Sequence, residues 1–291
     1  FLRQKPHEQI AWLESALESA RKLGYKAAVG NLLGKLGLAH ANAGEYQQAL
    51  HRYSQRLEIA RQLNDPDGFA ECLCNLGILY DELGDLENSQ ACYETALTLA
   101  GKIDLPRIES IAIGNLGLVL FAKGEYVEAL KLFQRHLALT RQLGERWAEG
   151  NALANIGMTL NRQKEFSAAL PYLSQAKQIN LSLADQPALG VTLGHLAASY
   201  EGLGDIHRAA ETYQQRLTIA QETGDQPAEA RAAWNLGKLL LLQGEIERGL
   251  ASLQFCVNFE QATGDPAYEA DSTLLERLQA QMAGRNKVRE E

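Results

Sequence analysis

An asparagine recurs in this chain at intervals of 40 residues, or of a multiple of 40, each time inside a similar segment. The matching segments are Asn75-Leu76-Gly77, Asn115-Leu116-Gly117, Asn155-Ile156-Gly157 and Asn235-Leu236-Gly237. Two further segments, Lys35-Leu36-Gly37 and His195-Leu196-Ala197, fill the remaining places, so six copies follow one another without an insertion or a deletion. Repeats of this size bury their apolar side only against their neighbours, which predicts one elongated array.

The repeat between Asp65 and Asp104 shows what one copy forms. Asp65-Pro66 is a helix start, because aspartate caps the N-terminus and proline is tolerated at the first helical position. Apolar residues at helical spacing then predict a helix over 67–83, Gly84-Asp85 interrupts it, and a second helix follows over 86–99. No stretch alternates as a strand would. The sequence therefore predicts an all-α chain of antiparallel helix hairpins, with thirteen to fourteen helices.

The interruption inside the hairpin recurs in register. A glycine ends the first helix in a left-handed conformation and an acidic residue begins the second. The pairs are Gly44-Glu45, Gly84-Asp85, Gly124-Glu125, Gly204-Asp205 and Gly244-Glu245, with Lys164-Glu165 as the exception.

Leu76-Gly77-x-x-Tyr80, followed on the second helix by a small residue and an aromatic one, resembles the tetratricopeptide repeat (TPR) pattern. The small and aromatic positions are Ala49/Tyr53, Ser89/Tyr93, Ala129/Phe133 and Ala209/Tyr213, with weaker copies at Ala169/Leu173 and Gly249/Leu253. The 40-residue period is similar to that of Pins/LGN-type adaptors, kinesin light chains and bacterial signalling ATPases with TPR sensors. This resemblance implies a right-handed superhelical solenoid. HEAT and armadillo arrays have a compatible period but lack these paired positions.

The register sets the expected boundaries of a single array over residues 1–291. Because the chain begins at Phe1 rather than at a methionine, we expect an excised or processed fragment that opens on the second helix of a truncated repeat. The expected segments are that helix (1–24), six full repeats (25–64, 65–104, 105–144, 145–184, 185–224 and 225–264), a capping helix (265–284) and a frayed tail (285–291).

Composition excludes several partners. The net charge is −8 and the pI is about 5.4, which argues against nucleic acid, against anionic membranes and against the RNA-reading helical repeats. No apolar run approaches the length of a membrane span. The four cysteines include no Cys-x-x-Cys pair and are expected to be small buried or half-buried side chains in a reducing, cytoplasmic compartment. The sequence contains no catalytic or phosphate-binding motif, and it predicts neither an enzyme nor a cofactor.

In TPR proteins the residue two before the repeat glycine faces the concave groove formed by the first helices. The resemblance therefore implies a peptide-binding row at Lys35, Asn75, Asn115, Asn155, His195 and Asn235. A carboxamide both donates and accepts hydrogen bonds, so a row of asparagines can hold an extended peptide backbone. The alternative is that these asparagines support the fold by bonding to a neighbouring helix.

Other candidate ligand residues lie around this row. The middle of the groove is expected to be apolar and its last part basic, which suits a peptide with apolar and polar contacts. The further candidates are Leu118, Phe121, Met158, Asn151, Arg231 and Lys238, together with Arg56 and Arg216 on second helices. For the last two, two roles stay open: binding an acidic ligand residue, as the Pins-like resemblance implies, or bridging to an acid of the adjacent repeat.

Two functions are compatible with this pattern. The first is a non-enzymatic scaffold that binds a protein or peptide, as the sensor or adaptor region of a larger signalling protein. The second is a structural solenoid that self-associates through its open ends.

Overall fold

A computed structural model describes the backbone of residues 6–290 and the side chains of residues 7–281. In this part of the chain there are fourteen α-helices and no strand, which confirms the predicted all-α class. The chain forms two compact units, Phe1–Glu145 and Arg146–Glu291. No helix in the described range is both long and apolar enough to cross a membrane.

In both units, the first helix of a hairpin and the second helix of a hairpin alternate along the chain. The first unit contains α1 (Pro6–Lys22), α2 (Lys26–Asn42), α3 (Tyr46–Leu63), α4 (Pro66–Glu82), α5 (Leu86–Ile103), α6 (Pro106–Ala122) and α7 (Tyr126–Leu143). The second contains α8 (Arg146–Arg162), α9 (Phe166–Ser182), α10 (Gln186–Gly202), α11 (Ile206–Thr223), α12 (Gln226–Leu242), α13 (Ile246–Thr263) and α14 (Tyr268–Glu290). We call the even-numbered helices A helices and the odd-numbered ones B helices.

Within each unit the A and B helices form two layers. Each A helix packs along its hairpin partner and also against the preceding B helix wherever both lie in the same unit. The A helices also contact one another directly, as α2 does with α4, α4 with α6, and α8 with α10. Among the described residues no pair of B helices makes comparable contact. Within a unit, successive A helices therefore lie closer together than successive B helices.

Large side chains on the B helices fill the space left by glycines on the A helices. A Cβ added to Gly77 would lie 2.5 Å from Tyr93 Cε1, and one added to Gly117 would lie 2.5 Å from Phe133 Cε1. Gly157 meets Leu173 in the same way. The repeat glycine is therefore required where the two helices of a hairpin approach closely.

The acidic residues that begin helices separate into two groups. Asp65 accepts a hydrogen bond from the Gly68 amide at 2.9 Å, and Asp85, Asp185, Asp205 and Asp225 cap their helices in the same way. The glutamates at equivalent starts, Glu45, Glu125, Glu165 and Glu245, make no side-chain cap. At these positions aspartate forms a side-chain cap and the longer glutamate does not, in agreement with the preference of N-cap positions for aspartate.

Lys164, which replaces the glycine at the turn inside one hairpin, keeps the same backbone conformation. Gly124 and Gly204 have φ of 83° and 77°, in the left-handed region, and Lys164 takes φ of 63° at the matching place. Tertiary packing therefore imposes the turn even where a side chain makes it unfavourable.

The last described helix, α14, packs against α13 in the second unit. Leu275, at the register position of the asparagines, is buried and packs with Leu253 and Val257. Glu276 and Arg277 are exposed, as a capping helix requires. The tail predicted at 285–291 has side chains outside the described residues, so its fraying stays a prediction.

The four cysteines are free, and three of them are buried. Burial raises the pKa of Cys72, Cys74 and Cys256 to about 12 and that of the half-buried Cys92 to about 11. These thiols are protonated at neutral pH and serve as packing groups, which agrees with the sequence prediction.

Candidate functional site

The predicted asparagine row lies on the accessible side of the A helices. Asn75, Asn115, Asn155 and Asn235 are half-buried, and Lys35 is exposed. Among the described residues, the side-chain amides of these four asparagines make no hydrogen bond to the protein. If the asparagines supported the fold, their amides would form such hydrogen bonds with a neighbouring helix. Without these hydrogen bonds the amides are available to a ligand.

A cleft of about 320 Å³ lies between α2 and α4 in the first unit. Lys35 and Asn75 line it from neighbouring repeats, and Arg56 reaches it from α3. The remaining lining residues are Asn31, Gly34, Leu38, Gly68, Glu71 and Cys72. The cleft brings together three of the predicted site residues that are far apart in sequence.

Apolar side chains on the same face of the first unit are exposed. The exposed fractions are 51% for Leu38, 43% for Ile78, 49% for Ile111 and 40% for Leu118. Phe121 is half-buried and its ring lies 5.2 Å from that of Tyr126. Single exposed leucines are common on protein surfaces, but Leu38, Ile78 and Leu118 lie 40 residues apart at one register position, and grouped exposed apolar side chains are typical of interaction sites.

The equivalent face of the second unit is more polar. Met158, Asn151 and Lys238 are half-buried, and Arg231 is exposed. The half-buried His195 occupies the asparagine position on α10. Burial lowers the pKa of His195 to about 4, with the charges of Arg216 and Arg162 acting in the same direction. This imidazole is therefore neutral at pH 7 and can either donate or accept a hydrogen bond.

Some polar residues near the row hold the fold together instead. Asp81 accepts a hydrogen bond from the Tyr93 hydroxyl at 3.0 Å, and Glu201 accepts one from Tyr213 at 3.2 Å. Asn161 donates to the His195 carbonyl at 2.8 Å, which ties α8 to α10. At this register position a carboxylate pairs with Tyr93 and with Tyr213, whereas the hairpin of the buried Tyr53 has Ala41 there.

The two arginines on B helices have different surroundings. Arg56 is buried and donates from both Nη1 and Nη2 to Asp65 Oδ2, each at 3.2 Å. This is the bridge to the adjacent repeat that the sequence left as one of two alternatives. Arg216 has a buried Nε without a hydrogen-bond partner, and its guanidinium makes no ion pair among the described residues.

A second period, of 80 residues, relates the two arginines to a third bulky side chain on the B helices, and the 40-residue register did not predict it. Arg56, His136 and Arg216 lie 80 residues apart, and the A helices opposite them carry Gly34, Gly114 and Gly194. A Cβ on Gly114 would lie 2.9 Å from His136 Cε1, and one on Gly194 would lie 2.9 Å from Arg216 Cζ. The alternating repeats instead have a small residue or cysteine on the B helix and no glycine opposite. The glycines at 114 and 194 thus make room for the bulky side chain opposite, whereas a Cβ on Gly34 would lie 3.9 Å from Arg56 Nε, an ordinary contact distance.

Comparisons with known proteins agree with this architecture. Models described as "Tetratricopeptide repeat" match residues 28–102, 108–182 and 196–254. A search of curated proteins gave no match.

Several solved structures are similar to this one. The apo form of RapI matches with a TM-score of 0.70 and 18% identity over 90% of this chain and 99% of that chain. BtubC (BKLC) from P. vanneervenii matches with a TM-score of 0.68 and 21% identity over 76% of this chain and 93% of that one. A signal transduction ATPase with numerous domains and a tetratricopeptide repeat sensor, from Pyrococcus horikoshii, gives 0.70 and 17% over 95% of this chain. This chain spans only 44% of that ATPase.

At these identities the structural likeness shows the fold alone. The family models, however, cover more than half of the chain in the register of the hairpins. The chain belongs to the tetratricopeptide repeat family.

Proposed function

We propose that this chain is a non-enzymatic scaffold whose A-helix face binds an extended or helical segment of a protein partner. The observation that carries the proposal is the row of half-buried asparagine amides that make no hydrogen bond within the described residues. Each amide can donate to a peptide carbonyl and accept from a peptide N–H, so the row binds backbone with little dependence on side chains.

Two further observations support a peptide as the partner. The exposed Leu38, Ile78, Ile111 and Leu118 offer apolar contacts beside the row in the first unit. The cleft lined by Lys35 and Asn75 is a shallow site between repeats, of a size that suits side chains of a bound segment. We infer that the chain acts in the cytoplasm as the sensor or adaptor region of a larger signalling protein. The P. horikoshii signal transduction ATPase, which has a tetratricopeptide repeat sensor, is compatible with that role.

The test is selection of ligands from a displayed random peptide library, followed by affinity measurements on the selected peptides. Changing Asn115 and Asn155 together to Ala should weaken binding by about 1–3 kcal/mol for each peptide group left unsatisfied. The matched control changes Gln134 and Gln178 to Ala, because these exposed carboxamides lie on B helices, one in each unit. The control should bind as the unmodified chain does.

Melting temperatures separate this function from its alternatives. If the asparagine variant loses stability and keeps its affinity, the asparagines support the fold and the proposal is wrong. If no peptide is selected and light scattering shows mass rising with concentration, self-association through the ends of the array is the better account.

A further inference from the structure

A second cleft, of about 600 Å³, lies in the first unit between the B helices α1 and α3, with α2 beneath it. Its floor is apolar, because Val29 and Leu33 are buried and Ile59 packs against the same core. Successive B helices lie farther apart than successive A helices, which leaves this groove open. Its volume lies in the range of sites that hold small molecules.

The rim of this cleft is basic. Arg21, Lys26 and His51 line it, and their side chains make no hydrogen bond or ion pair within residues 7–281, whose side chains the structure describes. Glu58, the carboxylate among the lining residues, accepts a hydrogen bond from Gln62 at 3.0 Å. The chain has a net charge of −8, so this group of basic side chains is a local feature and does not follow from the composition.

The register shows what the other repeats place in this groove. The positions that match Val29 carry three glutamates and two large apolar residues: Phe69, Glu109, Glu149, Leu189 and Glu229. Glu229 accepts a hydrogen bond at 3.0 Å from Gln221, which matches Arg21 in register. A carboxylate at the position of Val29 can therefore reach the rim.

The other two glutamates make equivalent contacts. Glu149 forms an ion pair with Arg146, which matches Lys26 in register. Glu109 forms an ion pair with Arg135 of the following B helix. These repeats thus supply a carboxylate of their own to the groove, whereas the first repeat has a valine at that position and keeps its basic rim.

The neighbouring groove is occupied in a different way. The guanidinium of Arg61, which matches Arg21, lies over the ring of Phe69, with Cζ 5.3 Å from the ring centroid. A large ring thus takes the place of Val29 and also interacts with the arginine by a cation–π contact. The first repeat has neither the ring nor the carboxylate.

We propose that this cleft binds a small organic carboxylate with an apolar chain, of the size of a medium-chain fatty acid. The carboxylate accepts charge-assisted hydrogen bonds from Arg21 and Lys26, in the place that a glutamate takes in other repeats. The chain lies over Val29 and Leu33, where it leaves water. The cleft lies between B helices, so this inference goes beyond the proposed peptide-binding function and does not depend on the asparagine row.

The test uses sodium decanoate, kept below the concentration at which it forms micelles and titrated into the full chain by calorimetry at pH 7. Decanol has the same chain without the charge, and acetate has the charge without the chain. We expect one decanoate per chain, with both controls at least tenfold weaker. Binding of decanol as tight as that of decanoate would overturn the assignment of a carboxylate.

Arg21→Gln should raise the Kd for decanoate about threefold to fivefold, the range expected for one ion pair at an exposed rim. Arg61→Gln is the matched control at the same register position. It should leave the Kd unchanged, because Arg61 belongs to the neighbouring groove and lies over Phe69. An equal loss from the two substitutions would contradict the site.

Val29→Glu should abolish decanoate binding, because it supplies the carboxylate that other repeats have. Glutamate occupies this position in three repeats, so the variant is expected to fold, and its melting temperature checks this. Val29→Phe is the second variant and should weaken binding by filling the cleft, as Phe69 does next to it. Unchanged affinity in either folded variant would overturn the proposal.

Two further ligands test the class of anion. Decyl phosphate bound more tightly than decanoate would identify a phosphate head group. Tighter binding of an apolar peptide with a free C-terminal carboxylate would identify a protein terminus as the ligand, and either result would overturn the fatty-acid assignment. Loss of decanoate binding in these variants, with peptide binding at the asparagine row retained, would show that the two sites are separate.

Discussion

The ring of Phe133 lies so close to Gly117 that a Cβ added to the glycine would come within 2.5 Å of Cε1. Phe133 is fully buried in the hairpin and cannot retreat without displacing its neighbours. The contact joins the two helices of one repeat, and its equivalent recurs at Gly77 and Tyr93. The spacing between A and B helices is therefore set by the absence of one side chain.

Gly117→Ala should destabilise the first unit because the added methyl group overpacks this contact. The expected cost is about 1–3 kcal/mol, measured by chemical denaturation. Gly101→Ala is the control, since no atom lies within 4 Å of a Cβ placed there and the residue is on an exposed helix surface. The control should be neutral or stabilising by up to about 1 kcal/mol. Equal effects of the two substitutions would contradict the packing argument.

Lys164→Gly should stabilise the second unit. Lys164 has φ of 63°, a conformation that costs a residue with a Cβ roughly 1 kcal/mol. Part of that gain is offset by the greater freedom of glycine in the unfolded chain, so the net increase should be below about 1 kcal/mol. Gly124→Ala tests the reverse change at the matching turn, where φ is 83°, and should lower the melting temperature.

Asp65→Ala should cost more than Asp225→Ala although both remove a helix cap. The loss of either cap is expected to cost about 1 kcal/mol. Removing Asp65 also leaves the buried Arg56 without its ion-pair partner, so we expect a total of about 2–4 kcal/mol. Denaturation of the two variants side by side measures the difference. If they are equally destabilised, the Arg56–Asp65 pair makes no net contribution.

The stability of the first unit should fall as the solution becomes acidic. Burial lowers the pKa of His136 to about 4, below the value of about 6.5 expected for an unfolded chain. As the pH falls, His136 therefore binds a proton in the unfolded state before it does so in the folded state. The stabilisation from neutral His136 is fully present above pH 6.5 and is lost as the pH falls towards 4. The loss from this group should reach up to roughly 3 kcal/mol. His136→Gln should flatten the dependence measured by denaturation at a series of pH values, and an unaltered slope would contradict the assignment.

The sequence by itself determined the repeat architecture. An aspartate cap and a glycine at most turns inside the hairpins are local signals, because each depends on a few neighbouring residues and on backbone geometry, and the 40-residue register repeats them along the chain. They were sufficient to predict the hairpins and the cap at Asp65, while the role of the asparagine row stays a prediction. Periodicity also made the buried positions predictable, since each apolar residue packs in the same way in successive copies.

Only the tertiary structure decided which polar residues the fold uses itself. Asp81 and Glu201 lie at the register position of Phe121, a predicted groove residue, and the structure pairs them with buried tyrosine hydroxyls 12 residues away. Arg56 and Arg216 were equivalent in sequence, but Arg56 donates to Asp65 through a space that a Cβ on Gly68 would fill, and the second unit has Ala228 at that place. Whether a polar residue finds a partner within the fold depends on whether another side chain occupies the space between the helices around it. That space is set by packing distances, which the spacing of residues along the chain does not specify.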